Sequence, residues 1–147
     1  MAIQAAVKED YLELISIWES SVRATHSFLP EKNIADLKIL ILEHYFDAVD
    51  LYSFKLTDDK PVGFIGVAEG NIEMLFVLPN CFGQNIGRKL AEFAITNLGA
   101  SKVDVNEQNP KAIGFYEHIG FEIIGRSDLD GQGNPFPLMH MIYTLHP

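Results

Sequence analysis

A short apolar run, Met74-Leu75-Phe76-Val77-Leu78, stops at Pro79. A glycine-spaced turn, Gly83-Gln84-Asn85-Ile86-Gly87, follows it, and a helical pattern then opens on two cations, Arg88 and Lys89. Strand, glycine turn and helix start together make an anion site, because unpaired backbone N–H groups and the helix dipole both point into the turn. The cations are unusual there. A first helical turn carries partial positive charge and favours Asp or Glu, yet the first acid in this helix is Glu92. Two cations at a positive helix end suit a docked polyanion; the alternative is that both are solvated surface residues.

Known phosphate cradles narrow the choice. A Walker loop needs four residues between its glycines, then Lys and a hydroxyl residue. Here three residues separate Gly83 from Gly87, and Lys89 is followed by Leu90. A dinucleotide fingerprint needs G-x-G-x-x-G early in a βαβ unit, and the chain lacks it. The turn instead resembles the pyrophosphate loop of the GNAT acetyltransferases, with Val77, Pro79, Gly83 and Gly87 matching. Two positions depart from the family form. Phe82 stands where Arg or Gln is usual, and Asn85 where Gly is usual. Asn tolerates positive φ, so the loop survives that change, whereas Phe82 removes one side chain near the phosphates and weakens coenzyme affinity.

A second segment, Asn106-Glu107-Gln108-Asn109-Pro110-Lys111-Ala112-Ile113-Gly114-Phe115-Tyr116-Glu117-His118-Ile119-Gly120-Phe121, is similar to the family's strand-helix-strand signature. Trp18-Glu19, Val22 to His26, Phe28-Leu29-Pro30, Leu129-Asp130-Gly131, Pro135 to Leu138 and His140 extend the likeness, to a bacterial branch, over nearly the whole chain. The resemblance implies a single GNAT domain over residues 1–147, with acetyl-coenzyme A as cosubstrate and direct transfer to an amine in a ternary complex. Gly83, Gln84, Asn85, Ile86, Gly87 and Arg88, beside Phe82, would hold the pyrophosphate. Phe76 and Val77 would lie near the thioester, where a splayed strand offers backbone groups to the pantetheine arm. Asn109 would contact the coenzyme, and Tyr116 would protonate the departing thiolate. A phenol beside a sulfur that gains negative charge is a competent general acid. A degenerate acyl-coenzyme A sensor on the same fold is the other reading.

An ammonium must lose a proton before it attacks. Glu73 is the first candidate base: alternation puts it on one strand face with Leu75 and Val77, and an acid on an apolar face has a raised pKa. His26 and His140 are alternatives, and Asp104 reads as a structural acid. Trp18, Arg23, His26, Phe28, Phe136 and His140 are expected to wall the acceptor pocket. An aromatic-walled site with few polar groups suits a small amine or a peptide. Cys81 lies just before the helix start, where a thiolate is favoured, but no His adjoins it. His44, His118 and His146 lack metal-ligand spacing, and no metal is expected.

These residues must be carried by an α/β fold. Residues 2–7 read as a strand. Asp10 caps a helix with Leu14, Ile15, Trp18 and Val22 on its apolar side. A second helix, about 33–48, turns Ile34, Leu37, Leu40, Ile41 and Tyr45 inward. Strands follow at Leu51–Leu56, Val62–Ala68 and Ile72–Leu78, the first two joined through Asp58-Asp59-Lys60. The helix after the glycine turn buries Ile86, Leu90, Phe93 and Ala94. Lys102–Asn106 is a strand, Asn109-Pro110 opens a helix that Gly120 ends, and Phe121–Gly125 and Leu138–Leu145 are strands. The expectation is a mixed, mostly antiparallel sheet of six to seven strands with about four helices on its faces.

The 147 residues suit one domain. Twenty acids against 11 Lys and Arg give a net charge of -9, which repels nucleic acid and anionic membranes. The single Cys81 excludes an internal disulfide. Apolar runs are too short to span a bilayer, and the N-terminus lacks the pattern of a signal peptide. The expectation is therefore a cytoplasmic monomer or homodimer acting on a small-molecule or peptide amine.

Overall fold

The computed structural model describes residues 2–56 and 59–144. Asp58, Leu145 and His146, which entered the reading above, lie outside the described residues. Seven strands, β1 (Ile3–Ala5), β2 (Asp50–Lys55), β3 (Pro61–Ala68), β4 (Asn71–Val77), β5 (Lys102–Asn106), β6 (Phe121–Ser127) and β7 (Leu138–Tyr143), form one sheet in the order β1-β2-β3-β4-β5-β7-β6. Every neighbouring pair is antiparallel except β4 and β5.

Four α-helices cover the two faces: α1 (Tyr11–Thr25), α2 (Glu31–Leu40), α3 (Ile86–Asn97) and α4 (Pro110–Ile119). One core cluster joins Leu14, Ile15, Trp18, Ile34 and Phe46 to Phe64 and Met74 under α1 and α2. The other joins Leu90, Ala91, Ala94 and Ile119 to Ile65, Ile72, Val77, Val103 and Met141 under α3 and α4. Leu90 is fully buried, and a side chain of that size contributes about 2 kcal/mol by leaving water.

Three local details differ from the pattern-based expectation. Asp10 is the residue before α1, but its carboxylate accepts from the Val7 N–H at 3.0 Å and caps no N–H of α1. The second helix changes pitch: α2 passes into a π-helical turn over Ile41–Tyr45 and then a 3-10 turn over Phe46–Ala48. A π turn sets residues five apart on one face. Phe46 therefore joins Ile41 in the core, and Tyr45 is turned out.

The third detail matters most for the site. Gly66 pairs with Met74 and Val67 pairs with Ile72, so Glu73 is an extra residue opposite the Gly66–Val67 step. This bulge interrupts the alternation. Ile72, Leu75 and Val77 pack with the α3/α4 cluster, and Met74 and Phe76 with the α1/α2 cluster. Glu73 belongs to neither: it is exposed and accepts from the Asn71 side-chain amide at 2.9 Å.

β4 and β5 pair only at Asn71–Lys102 and Ile72–Val103. Beyond that, β4 follows β3 to the Gly63–Val77 pair, while β5 follows β7 to the Asn106–Leu138 pair. The two parallel strands therefore part, and a gap opens through the sheet.

Candidate active site

The glycine turn leads into α3 through two residues of positive φ, Gly83 (+83°) and Asn85 (+63°). The first intrahelical bond runs from the Lys89 N–H to the Asn85 carbonyl at 3.0 Å. The N–H groups of Ile86, Gly87 and Arg88 therefore precede the ladder and point out of the helix start, where the dipole is positive. A cleft of about 650 Å³ lies against them. Phe82, Gly83, Asn85, Ile86, Gly87 and Arg88 line it, whereas Gln84 does not. The two cations part company. Arg88 lines the cleft, with its Nε 3.4 Å from Glu92. The Lys89 ammonium lies 5.9 Å from the centroid of the Phe54 ring.

The cleft runs along the end of β4 to α4. Leu75, Phe76 and Val77 border it from the strand, and Asn109 and Tyr116 from the helix. Asn109 is the N-cap of α4: its Oδ1 accepts from the Ala112 N–H at 3.3 Å. That use of the oxygen leaves the amide NH₂ as a donor for the cleft. Tyr116 is buried, and burial pushes its phenol far above the ordinary tyrosine range. Among the described residues its hydroxyl has no hydrogen-bond partner. Cys81 also lines the cleft, its thiol directed to the Asn80 side-chain oxygen at 3.4 Å.

A smaller cavity of about 120 Å³ fills the gap between β4 and β5. His26, Leu75, Phe76, Asn109, Ala112 and Tyr116 border both spaces, so the two adjoin. Glu73 and Asp104 line the smaller one. His26 follows α1 directly, and burial holds its imidazole below the usual histidine value. Its Nδ1 lies 2.7 Å from the Thr25 hydroxyl oxygen. That hydroxyl already donates to the Ser21 carbonyl at 2.8 Å. A hydroxyl has one proton to give, so Nδ1 carries a proton and donates to Thr25. Nε2 is then the basic nitrogen of the neutral ring.

The other pocket candidates divide. Phe28 packs at a tilt against His26 with ring centroids 5.3 Å apart, and Phe136 lies 6.0 Å from Phe28, so the loops after α1 and before β7 meet beside His26, although neither phenylalanine lines either space. Trp18 is buried in the α1/α2 core and lines neither space. Arg23 also lines neither: it binds Glu31 through two nitrogens at 2.9 and 2.6 Å and Glu19 at 2.9 Å, which ties α1 to α2. His140 stands outside both, with each ring nitrogen engaged, Nδ1 with Asp104 and Nε2 with Ser127.

Sequence reasoning assigned no role in the cleft to four polar residues that line it: Ser21, Thr25, Lys111 and His118. Lys111 carried a usable signal, since it repeats the anomaly of Arg88, a cation in the first turn of a helix. Two helix starts thus bring cations to one cleft of an otherwise acidic protein.

Residues 37–145 match the family described as acetyltransferase (GNAT) domain. A peptidyl-lysine N-acetyltransferase, YjaB of Salmonella typhimurium, is 38% identical over 141 residues, 96% of this chain and 97% of its own. The solution structure of the apo form of YjaB from Escherichia coli superposes with a TM-score of 0.86 at 35% identity, covering 98% of this chain and 97% of that one. A PaiA N-acetyltransferase from Thermoplasma acidophilum, crystallised with coenzyme A, shares the fold at a TM-score of 0.71 and 20% identity, covering 96% of this chain and 98% of that one. Among the described residues no helix is long and apolar enough to cross a membrane.

Proposed function

This chain belongs to the GNAT acetyltransferase family, and on that footing we propose that it moves an acetyl group from acetyl-coenzyme A to the side-chain amine of a lysine in a protein or peptide, by direct attack in a ternary complex. The naming of the relatives as peptidyl-lysine acetyltransferases supports the choice of acceptor. The observation that carries the mechanism is a pair of adjoining spaces, with the helix start of Ile86, Gly87 and Arg88 on the larger and both Tyr116 and His26 lining each.

The residues suit the coenzyme. The N–H groups of Ile86, Gly87 and Arg88 and the Arg88 guanidinium offer donors to a diphosphate, and Lys111 adds charge on the same cleft. The coenzyme supplies an acyl group activated as a thioester. The inner edge of β4 over Leu75–Val77 has no strand partner on the β5 side, so it offers backbone groups along the gap. Holding both reactants in that gap turns a two-body encounter into a positioned one.

His26 takes the proton from the lysine ammonium at Nε2, with Glu73 as a second, solvent-exposed carboxylate on the same cavity. The amine nitrogen then forms its bond to the carbonyl carbon as the carbon–sulfur bond breaks. Tyr116, kept protonated by its burial, gives a proton to the departing sulfur; the second proton of the acylated nitrogen returns to the Tyr116 oxygen, and His26 releases the first to solvent.

Calorimetry with acetyl-coenzyme A, followed by a thiol-release assay with a lysine-containing peptide, tests the reading. Heat on coenzyme addition is expected, with thiol released when the lysine is free and none when it is blocked in advance. Binding without thiol release from any amine would leave a coenzyme sensor, and no binding would end the proposal.

A further inference from the structure

We propose that Asp104, held in place by His140, is the residue that recruits the charged amine of the acceptor and so sets the preference for a cationic substrate. This rests on the acetyltransferase reading above. Asp104 sits on β5 between Val103 and Val105, which are buried with the α3/α4 core. Alternation turns Asp104 to the other face, away from the helix that presents the phosphate donors. It lines the smaller cavity with His26 and Tyr116, so it meets what enters the gap from the side opposite the coenzyme.

Its orientation is built by three strands. Asp104 and His140 are direct cross-strand partners on β5 and β7, and the imidazole Nδ1 lies 2.6 Å from Asp104 Oδ1. The Ser127 hydroxyl of β6 lies 2.6 Å from Nε2. An ionised carboxylate only accepts, so Nδ1 carries the proton on that side. Oδ1 is thereby engaged, while among the described residues Oδ2 has no partner and remains available to a ligand. An aspartate tied on one oxygen loses little further side-chain freedom when it binds, and a bond from a charged donor is among the stronger hydrogen bonds.

The neighbours point to the same ligand. Glu73 brings a second carboxylate to the cavity, and the buried Tyr116, whose hydroxyl has no hydrogen-bond partner among the described residues, lines it as well. An aliphatic ammonium satisfies both acids on its way to His26. His140 is on this view a positioning residue, acting through Asp104.

The test compares two acceptors: a lysine-containing peptide, and hydroxylamine, which is uncharged in mildly alkaline buffer. Asp104→Asn should raise KM for the peptide about ten- to hundred-fold, the range of one hydrogen bond to a charged group, with a smaller change in kcat. KM for hydroxylamine and the acetyl-coenzyme A affinity by calorimetry should stay within about two-fold on that reasoning. Asp104→Glu should recover part of the peptide KM, and His140→Gln should reproduce part of the loss. If Asp104→Asn alters both acceptors alike, or changes coenzyme affinity by as much, the inference is overturned and the residue is structural. If the parent enzyme releases thiol with neither acceptor, the acetyltransferase reading fails as well, and the two failures are told apart.

Discussion

Thr25 fixes the proton of His26. Its hydroxyl gives its only hydrogen to the Ser21 carbonyl one helical turn back and accepts from the His26 Nδ1 at 2.7 Å. A last-turn hydroxyl often makes the first of these bonds. The second makes it a tautomer selector, because the lone pair at Nε2 is left for the cavity. His26→Gln should therefore lower kcat about a hundred-fold with little change in coenzyme affinity. Thr25→Val should lower it by less, and Thr25→Ser should restore it. Steady-state kinetics with a lysine peptide check this; a Thr25→Val enzyme as active as the parent would sever the link.

Stability should depend on pH through the same ring. Burial depresses the His26 pKa in the folded state below the usual histidine value. The unfolded chain then binds more protons in between, so stability is complete above the unfolded value and is lost as pH falls through the folded one. Thermal melts in mildly acidic buffers should show a Tm falling with pH, and His26→Gln should flatten that slope. An unchanged slope would assign the acid sensitivity elsewhere.

Tyr116→Phe removes one oxygen from a buried site and leaves the ring contacts with Phe115 and Phe121. Because the hydroxyl has no protein partner among the described residues, folding should hardly suffer. The expected result is a kcat lower by about a hundred-fold or more at an unchanged Tm. Equal loss of coenzyme affinity and turnover would mean that the hydroxyl serves binding alone.

Phe82 is half exposed on the cleft beside the turn. Phe82→Arg adds a cation within reach of the proposed phosphate site and removes an exposed ring from water. It should tighten acetyl-coenzyme A by a few-fold, and the gain should shrink as salt rises. Calorimetry at two ionic strengths decides: a tightening independent of salt would point to packing.

Much of this site is local chemistry, and local chemistry is what a sequence records. Asn85 was expected to accept positive φ and stands at +63°. Asn109 before Pro110 opens α4, and the glycine turn falls between β4 and α3 as the pattern required. What escaped depends on partners far away in the chain. Alternation counted from Glu73 fails because Gly66 and Val67, on another strand, pair around it. The inward set of the second helix shifts from Tyr45 to Phe46 because one turn is π-helical. Lys89 looked equivalent to Arg88, yet the helical step between neighbours turns it toward Phe54. Asp104 and His140 read as a structural acid and a possible base until β5 and β7 are laid side by side.

The parting of β4 from β5 has a mechanical consequence. Joined at one end by Asn71–Lys102 and Ile72–Val103, the halves of the sheet form a wedge whose open lips are main chain. On the proposed reading, an extended ligand arm lying there would hydrogen-bond like an inserted strand and brace both lips at once. Deuterium uptake at Leu75–Val77 and at Val105–Asn106 should then slow together when acetyl-coenzyme A is added, so that the backbone itself reports occupancy.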